Sequence, residues 1–166
     1  YGKGDLQKAE SYLQESSRIF LELDDANSYL HHYICREQIA NINGRFQEVL
    51  ELRQKHLHYL EKLGDPYSIS KLYMKPGDAY QHIGDYAAAE MMGRKAIEYL
   101  SGKGLTWFQV WSRLLLGLSL IAKKDYQQAH FLLSKTEEIS REITYKPHLI
   151  EILAALIRVE ISNGNY

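Results

Sequence analysis

One cysteine in 166 residues leaves no partner for an internal disulfide, so Cys35 excludes a bridge-stapled fold and fits a reducing compartment. A cytoplasmic setting is therefore expected. No charge of either sign dominates: 20 Lys and Arg stand against 21 Asp and Glu, a formal charge of −1. Without a strong field the segment is not expected to bind nucleic acid or an anionic membrane surface. Long apolar runs are missing too, since nothing approaches the roughly 20 residues that span a bilayer. The longest apolar cluster, Leu114 to Ala122, is interrupted by Gly117 and Ser119 and reads as core.

What the chain does have is a period. Gly4-Asp5-Leu6, Gly44-Arg45-Phe46, Gly84-Asp85-Tyr86, Lys124-Asp125-Tyr126 and Gly164-Asn165-Tyr166 recur every 40 residues without a slip. A fixed period of this size is the mark of a repeat array, in which each unit buries its apolar face only against its neighbours. Small residues follow each of the first four triplets at one phase (Ala9, Val49, Ala89, Ala129), and Ser16, His56, Ala96 and Thr136 follow seven positions later. Phe20, Leu60 and Leu100 share a further phase, with Ser140 the exception. Spacings of three, four and seven put these side chains on one helical stripe.

Each triplet has a physical reason. Glycine takes the left-handed conformation that ends a helix, and the Asp or Asn after it caps the next. A second helix therefore starts at each triplet, for example over Asp5 to Leu23 and Asp125 to Ile143. Asp24-Asp25, Gly64-Asp65-Pro66, Gly102-Lys103-Gly104 and Tyr145-Lys146-Pro147 mark the turns between successive pairs, and proline suits a first helical turn. The reading is all-α: about eight helices in antiparallel pairs.

These residues resemble the tetratricopeptide repeat. The third unit carries the likeness best, with Tyr73, Gly77, Tyr80, Gly84-Asp85-Tyr86, Ala89 and Ala96 at the signature spacing. The resemblance implies a right-handed superhelix in which the first helix of each pair lines a concave groove, and a protein or peptide ligand in that groove. It also departs from the pattern. The period is 40 instead of 34, Pro76 precedes Gly77, Gly93 stands where a large apolar residue is usual, and Glu37 and Ile157 take the phase of Gly77. Pro76 should bend its helix locally, since it removes one hydrogen bond. Long repeats of this kind look like the sensor arms of bacterial signal-transduction ATPases and related transcription activators. They also look like repeats of division-orienting scaffolds and of quorum-peptide receptors.

The search for chemistry finds little. His31, His32 and Cys35 are close in sequence, yet His31 and Cys35 at four residues apart supply only two ligands, and Cys35 reads as a small packed hydrophobe. His56 and His58 diverge on a helix and read as surface or groove residues. Gly2-Lys3-Gly4 and Gly102-Lys103-Gly104 lack the spacing of a phosphate loop and read as turns. No local signature supports a nucleophile with its base, and Asp24-Asp25 and Glu137-Glu138 read as solvated acids, so no catalytic residue, metal or cofactor is assigned. Tyr73, Tyr80, Tyr86 and Tyr126 fall at core phases.

Leu105 to Ala122 is apolar around nearly its whole circumference, more than one buried face requires. The family register places Trp111, Leu115 and Leu118 on the groove, with Lys71, Met74, Lys75, Asp78, Gln81 and His82 beside them on the preceding first helix. Burial by a tightly curved array would account for the apolar set equally well. The expected function is a non-catalytic protein or peptide interaction module. It would be the sensor or scaffold arm of a larger signalling or transcription-regulatory protein, bound in the groove or to neighbouring domains of its own chain. A structural spacer and a quorum-peptide-receptor-like regulator are the alternatives. Residues 1–166 read as one solenoid segment, and a start at Tyr1 and a stop on another repeat mark read as a fragment of a longer array. Leu6 and Leu13 at one end, and Leu153, Leu156 and Ile161 at the other, should then be uncapped and favour self-association.

Overall fold

A computed structural model of the chain describes residues 3–23, 26–63, 66–104, 106–143 and 147–164, with side chains except at 3, 4, 20, 21, 23, 26–31, 58–63 and 66–70. Among the described residues there are eight helices and no strand: α1 (Lys3–Leu23), α2 (Ala26–Ile42), α3 (Phe46–Leu63), α4 (Pro66–Ile83), α5 (Tyr86–Leu100), α6 (Thr106–Ala122), α7 (Tyr126–Glu142) and α8 (Pro147–Asn163). They fall into two compact units, Tyr1–Gly64 and Asp65–Tyr166. In each unit successive helices pack side by side and antiparallel; in the second, α6 also touches α4 and α8, so the first helices of the pairs form one layer.

The periodic triplets do what their chemistry requires. Gly44, Gly84 and Gly164 have φ of 70°, 83° and 76°. Lys124, at the same phase, takes the left-handed conformation at φ 64° without being glycine. The turns share their bonds: Arg45 N donates to Ala40 O at 2.8 Å, Asp85 N to Tyr80 O at 2.9 Å and Asp125 N to Leu120 O at 2.9 Å. These bonds satisfy carbonyls that a helix end leaves open. The next helix is then capped, as the Asp85 carboxylate accepts from Ala88 N at 3.0 Å and that of Asp125 from Gln128 N at 3.2 Å. Pro66 and Pro147 open α4 and α8, where their missing N–H costs nothing. The Asp24-Asp25, Gly64-Asp65 and Tyr145-Lys146 marks lie outside the described residues. α4 runs without interruption through Pro76.

In the second unit, buried Val110, Leu114, Leu120 and Ile121 of α6 meet Ala129 and Leu133 of α7 and Ile152, Ala155 and Val159 of α8. Glycines set the spacing. A Cβ on Gly117 would stand 2.5 Å from Leu133 Cδ2, and one on Gly77 would stand 2.3 Å from Leu115 Cδ2, so neither helix could carry a side chain there unless its neighbour moved. Gly93 serves the same end, for its Cβ would lie 3.2 Å from the Leu116 backbone nitrogen.

In the first unit the phase of Gly77 holds Glu37, which is buried with Tyr33, Ile39, Ala40, Val49 and Leu52. Burial pushes the Tyr33 phenol up; Glu37 adds to this and Arg53 opposes it. Two expectations are corrected here. His56 is buried at 8% exposure with its ring 4.7 Å from Tyr33, because its phase matches Ala96 and Thr136 in the repeat interface. Cys35, expected to pack as a hydrophobe, is exposed. In the second unit Tyr73 and Tyr126 pack on the core as expected, whereas Tyr86 is 40% exposed beside its turn.

Candidate functional site

The predicted groove residues of α4 separate into two sets. Lys71, Lys75, Asp78 and His82 follow one another at four, three and four residues, which keeps them on one stripe. Lys71, Lys75 and Asp78 are half-buried and His82 is exposed. Met74 lies to one side of this stripe and is fully buried with Ala96, Leu100 and Phe108. Gln81 turns inward as well. Its amide donates to Leu115 O at 2.8 Å and to Ser119 Oγ at 3.2 Å, tying α4 to α6.

The α6 residues separate in the same way. Leu115 is 1% exposed, seated in the space that Gly77 leaves open, so it forms no part of an open floor. Leu118 is partly buried against the α6–α8 core. Trp111 remains at the surface, and groups from three helices meet on it. Lys75 Nζ lies over its ring at 4.8 Å from the centroid. The Asp78 carboxyl accepts a hydrogen bond from it. His148 of α8 stacks on it with centroids 5.9 Å apart and planes at 25°. Trp107, one turn earlier, is 5.2 Å from both the Trp111 and the His148 rings.

Two members of this cluster, His148 and Glu151, escaped the sequence reading. A signal for Glu151 was present, since it sits 40 residues after Trp111 and 80 after Lys71, on the groove phase of the next first helix.

The cluster is electrostatically tuned. Burial pushes the Asp78 carboxyl up to about 7; Lys75 and the Trp111 hydrogen bond pull it back, and the Glu151 charge adds to the rise. Burial lowers the His148 imidazole, against the opposing influence of Glu151. The face therefore brings together two lysines, a carboxyl whose charged form is disfavoured, an imidazole biased toward its neutral form, Glu151 and an indole. This set can bind a peptide by charge, hydrogen bond and ring contact. Among the described residues no three His, Cys, Asp or Glu side chains are placed to hold a metal ion, and no helix is long and apolar enough to cross a membrane.

Comparison with solved structures gives the fold its name. Over 96% of its length the chain superimposes at a TM-score of 0.86 and 21% identity on a signal-transduction ATPase with numerous domains, with a tetratricopeptide repeat sensor, from Pyrococcus horikoshii. The fold is the tetratricopeptide-type helical repeat. A kinesin light chain from P. anserina with nearly identical tetratricopeptide-like repeats matches 97% of the chain at TM-score 0.77 and 19% identity, with 80% of its own length covered. BtubC (BKLC) from P. vanneervenii matches 95% at TM-score 0.75 and 13% identity, with 65% of its length covered. The chain spans a quarter of the length of the Pyrococcus protein, 25%. No protein-family profile and no curated protein matches it. The tetratricopeptide-type assignment accounts for the first-helix layer that brings α4, α6 and α8 onto one face.

Proposed function

We propose that this segment is a non-catalytic interaction module, and that the α4–α6–α8 face around Trp111 is where a protein or peptide partner binds. One observation carries the reading: a surface indole at which a lysine, a carboxyl and an imidazole from two neighbouring helices converge. Tryptophan is among the residue types that most often anchor an interface. The likeness to a protein named for its tetratricopeptide sensor supports a role as the sensor or scaffold arm of a larger signalling protein.

The test selects binding peptides from a random display library on the whole chain and measures their affinity for the parent, Trp111→Ala and Lys75→Glu forms. Because hot-spot truncation costs about 2 kcal/mol or more, Trp111→Ala should weaken binding roughly thirtyfold. Lys75→Glu, a surface change, should shift the charge of the peptides selected. Selected peptides that bind all three forms equally, with unchanged helical circular dichroism, would refute the face and leave the segment as a spacer.

A further inference from the structure

The second helices of successive pairs leave a groove between them, floored by the first helix that separates them, and this groove occurs in both units with different linings. In the first unit it lies between α1 and α3, measures about 250 Å³ and is crossed by charge. Arg36 on the α2 floor reaches Glu48 at 3.2 Å, and Arg45 joins Glu10 of α1 at 2.6 Å to Glu48 of α3 at 3.1 Å. In the second unit it lies between α5 and α7 and measures about 540 Å³. Its floor is Leu116 and Leu120 of α6, its walls are Arg94 on one side and Gln128 and Leu132 on the other, and Phe131 stands on the rim. Leu116 and Gln128 come eighty residues after Arg36 and Glu48, and Phe131 eighty after Glu51, so all three phases have lost their charge. The other charged phases are spent locally. Glu90, at the phase of Glu10, pairs with Arg94 at 2.8 Å and Lys123 at 2.6 Å, and Asp125, at the phase of Arg45, caps α7.

We infer that the α5–α7 groove receives an amphipathic helix of a partner protein, apolar along the face it inserts and acidic along its flanks. The groove lies on the second-helix side of α6, whereas Trp111 belongs to the first-helix layer, so the inference does not rest on the function proposed for that face. The spacing of the lining points to a helix. Leu116 and Leu120 are one turn apart on α6, and Gln128 and Leu132 one turn apart on α7, which is the spacing at which a helix presents its own apolar stripe. The rim points to acid. Phe131 is 63% exposed with Lys135 Nζ 4.1 Å over its ring, so a large apolar group and a cation stand together where a partner would reach them. Arg94, Lys123 and Lys135 outnumber Glu90 there, and His130 is paired with Glu160. Exposed Glu98 and Glu138, about one turn beyond Arg94 and Lys135, end the basic stretch. Carboxylates on the partner would meet this excess of positive charge, and lysines would be repelled by it.

The probe is a pair of labelled model helices of about 15 residues, alike in their leucine stripe, with glutamate along the flanks of one and lysine along the flanks of the other. Fluorescence anisotropy on the whole chain should show the glutamate helix binding about tenfold or more tightly than the lysine helix, with the preference shrinking in high salt. Phe131→Ser removes the exposed ring and should weaken the glutamate helix by about tenfold, and Lys135→Glu should narrow the preference between the two helices. Met91→Ser changes an exposed residue at the phase of Phe131 that does not line the groove, and should leave the affinity within about twofold. Equal binding of both helices, or binding that Phe131→Ser and Met91→Ser reduce alike, would overturn the inference. So would binding that Trp111→Ala abolishes and Phe131→Ser spares, since that would put the helix on the other face. Binding of neither helix would overturn it as well, and capture of the chain on phosphatidylserine vesicles, lost in Phe131→Ser, would then make the patch a membrane contact.

Discussion

Replacing Asp78 with Asn isolates the electrostatic cost of building the Trp111 cluster. The carboxyl is raised to about 7 in the folded chain, whereas an unfolded aspartate titrates near 4. Between those values the folded state holds a proton that the unfolded state has released, so stability falls as pH rises through that window and levels off above it. Three pH steps at about 1.4 kcal/mol each place the upper bound near 4 kcal/mol, and local relaxation reduces it toward about 2. Asparagine keeps an acceptor for the Trp111 indole and carries no charge. Asp78→Asn should therefore be nearly neutral at pH 4.5 and stabilising at pH 8, by about 2 to 4 kcal/mol. Urea unfolding followed by circular dichroism at pH 4.5, 6 and 8 measures this as a difference between the two proteins, in which the other titrating groups cancel. A difference that stays constant with pH, or a variant less stable at pH 8, would refute the buried carboxyl.

Three further changes test the packing. Lys124→Gly removes a side chain from a left-handed residue at φ 64°; it should raise stability by about 1 kcal/mol, visible as a higher urea midpoint with unchanged slope. Gly117→Ala forces a Cβ against Leu133 and should cost about 1 to 3 kcal/mol; combined with Leu133→Ala, the loss should be smaller than the sum of the two single changes. Burial lowers the His56 imidazole, so the unfolded chain takes up its proton first as pH falls through about 6.5 and stability drops. His56→Leu should therefore gain more at pH 5 than at pH 8 in thermal melts; an equal gain at both would show the ring is not held neutral.

Most of the fold was legible because its punctuation is local. A glycine that must end a helix and an aspartate that must cap the next act over a few residues, so Gly84-Asp85 and Lys124-Asp125 announce their turns without reference to the rest of the molecule. Helical phase likewise named Lys75, Asp78 and Trp111 together, and the three do meet. Phase states which side chains share a stripe; it does not state how deep a neighbouring helix sits. Leu115 and Met74 were grouped with the open face, but Gly77 lets α6 approach so closely that Leu115 closes over, and Met74 is packed beneath α4. Cys35 erred in the other direction: its phase is that of buried Leu115, yet it lies exposed, and phase alone does not say which helices flank a stripe. Depth is a property of pairs of helices, and a single stripe contains only half of each pair.

Both tryptophans of the chain, Trp107 and Trp111, stand one turn apart on α6, and both touch His148. Indole emission responds to polarity, to proton transfer and to charge within a few ångströms, so the tryptophan light this protein gives off, excited at the red edge where its 13 tyrosines do not absorb, originates from a single spot. An unlabelled sample in a fluorimeter reports when Asp78 changes its charge, when Lys75 leaves the ring, and when something else arrives there.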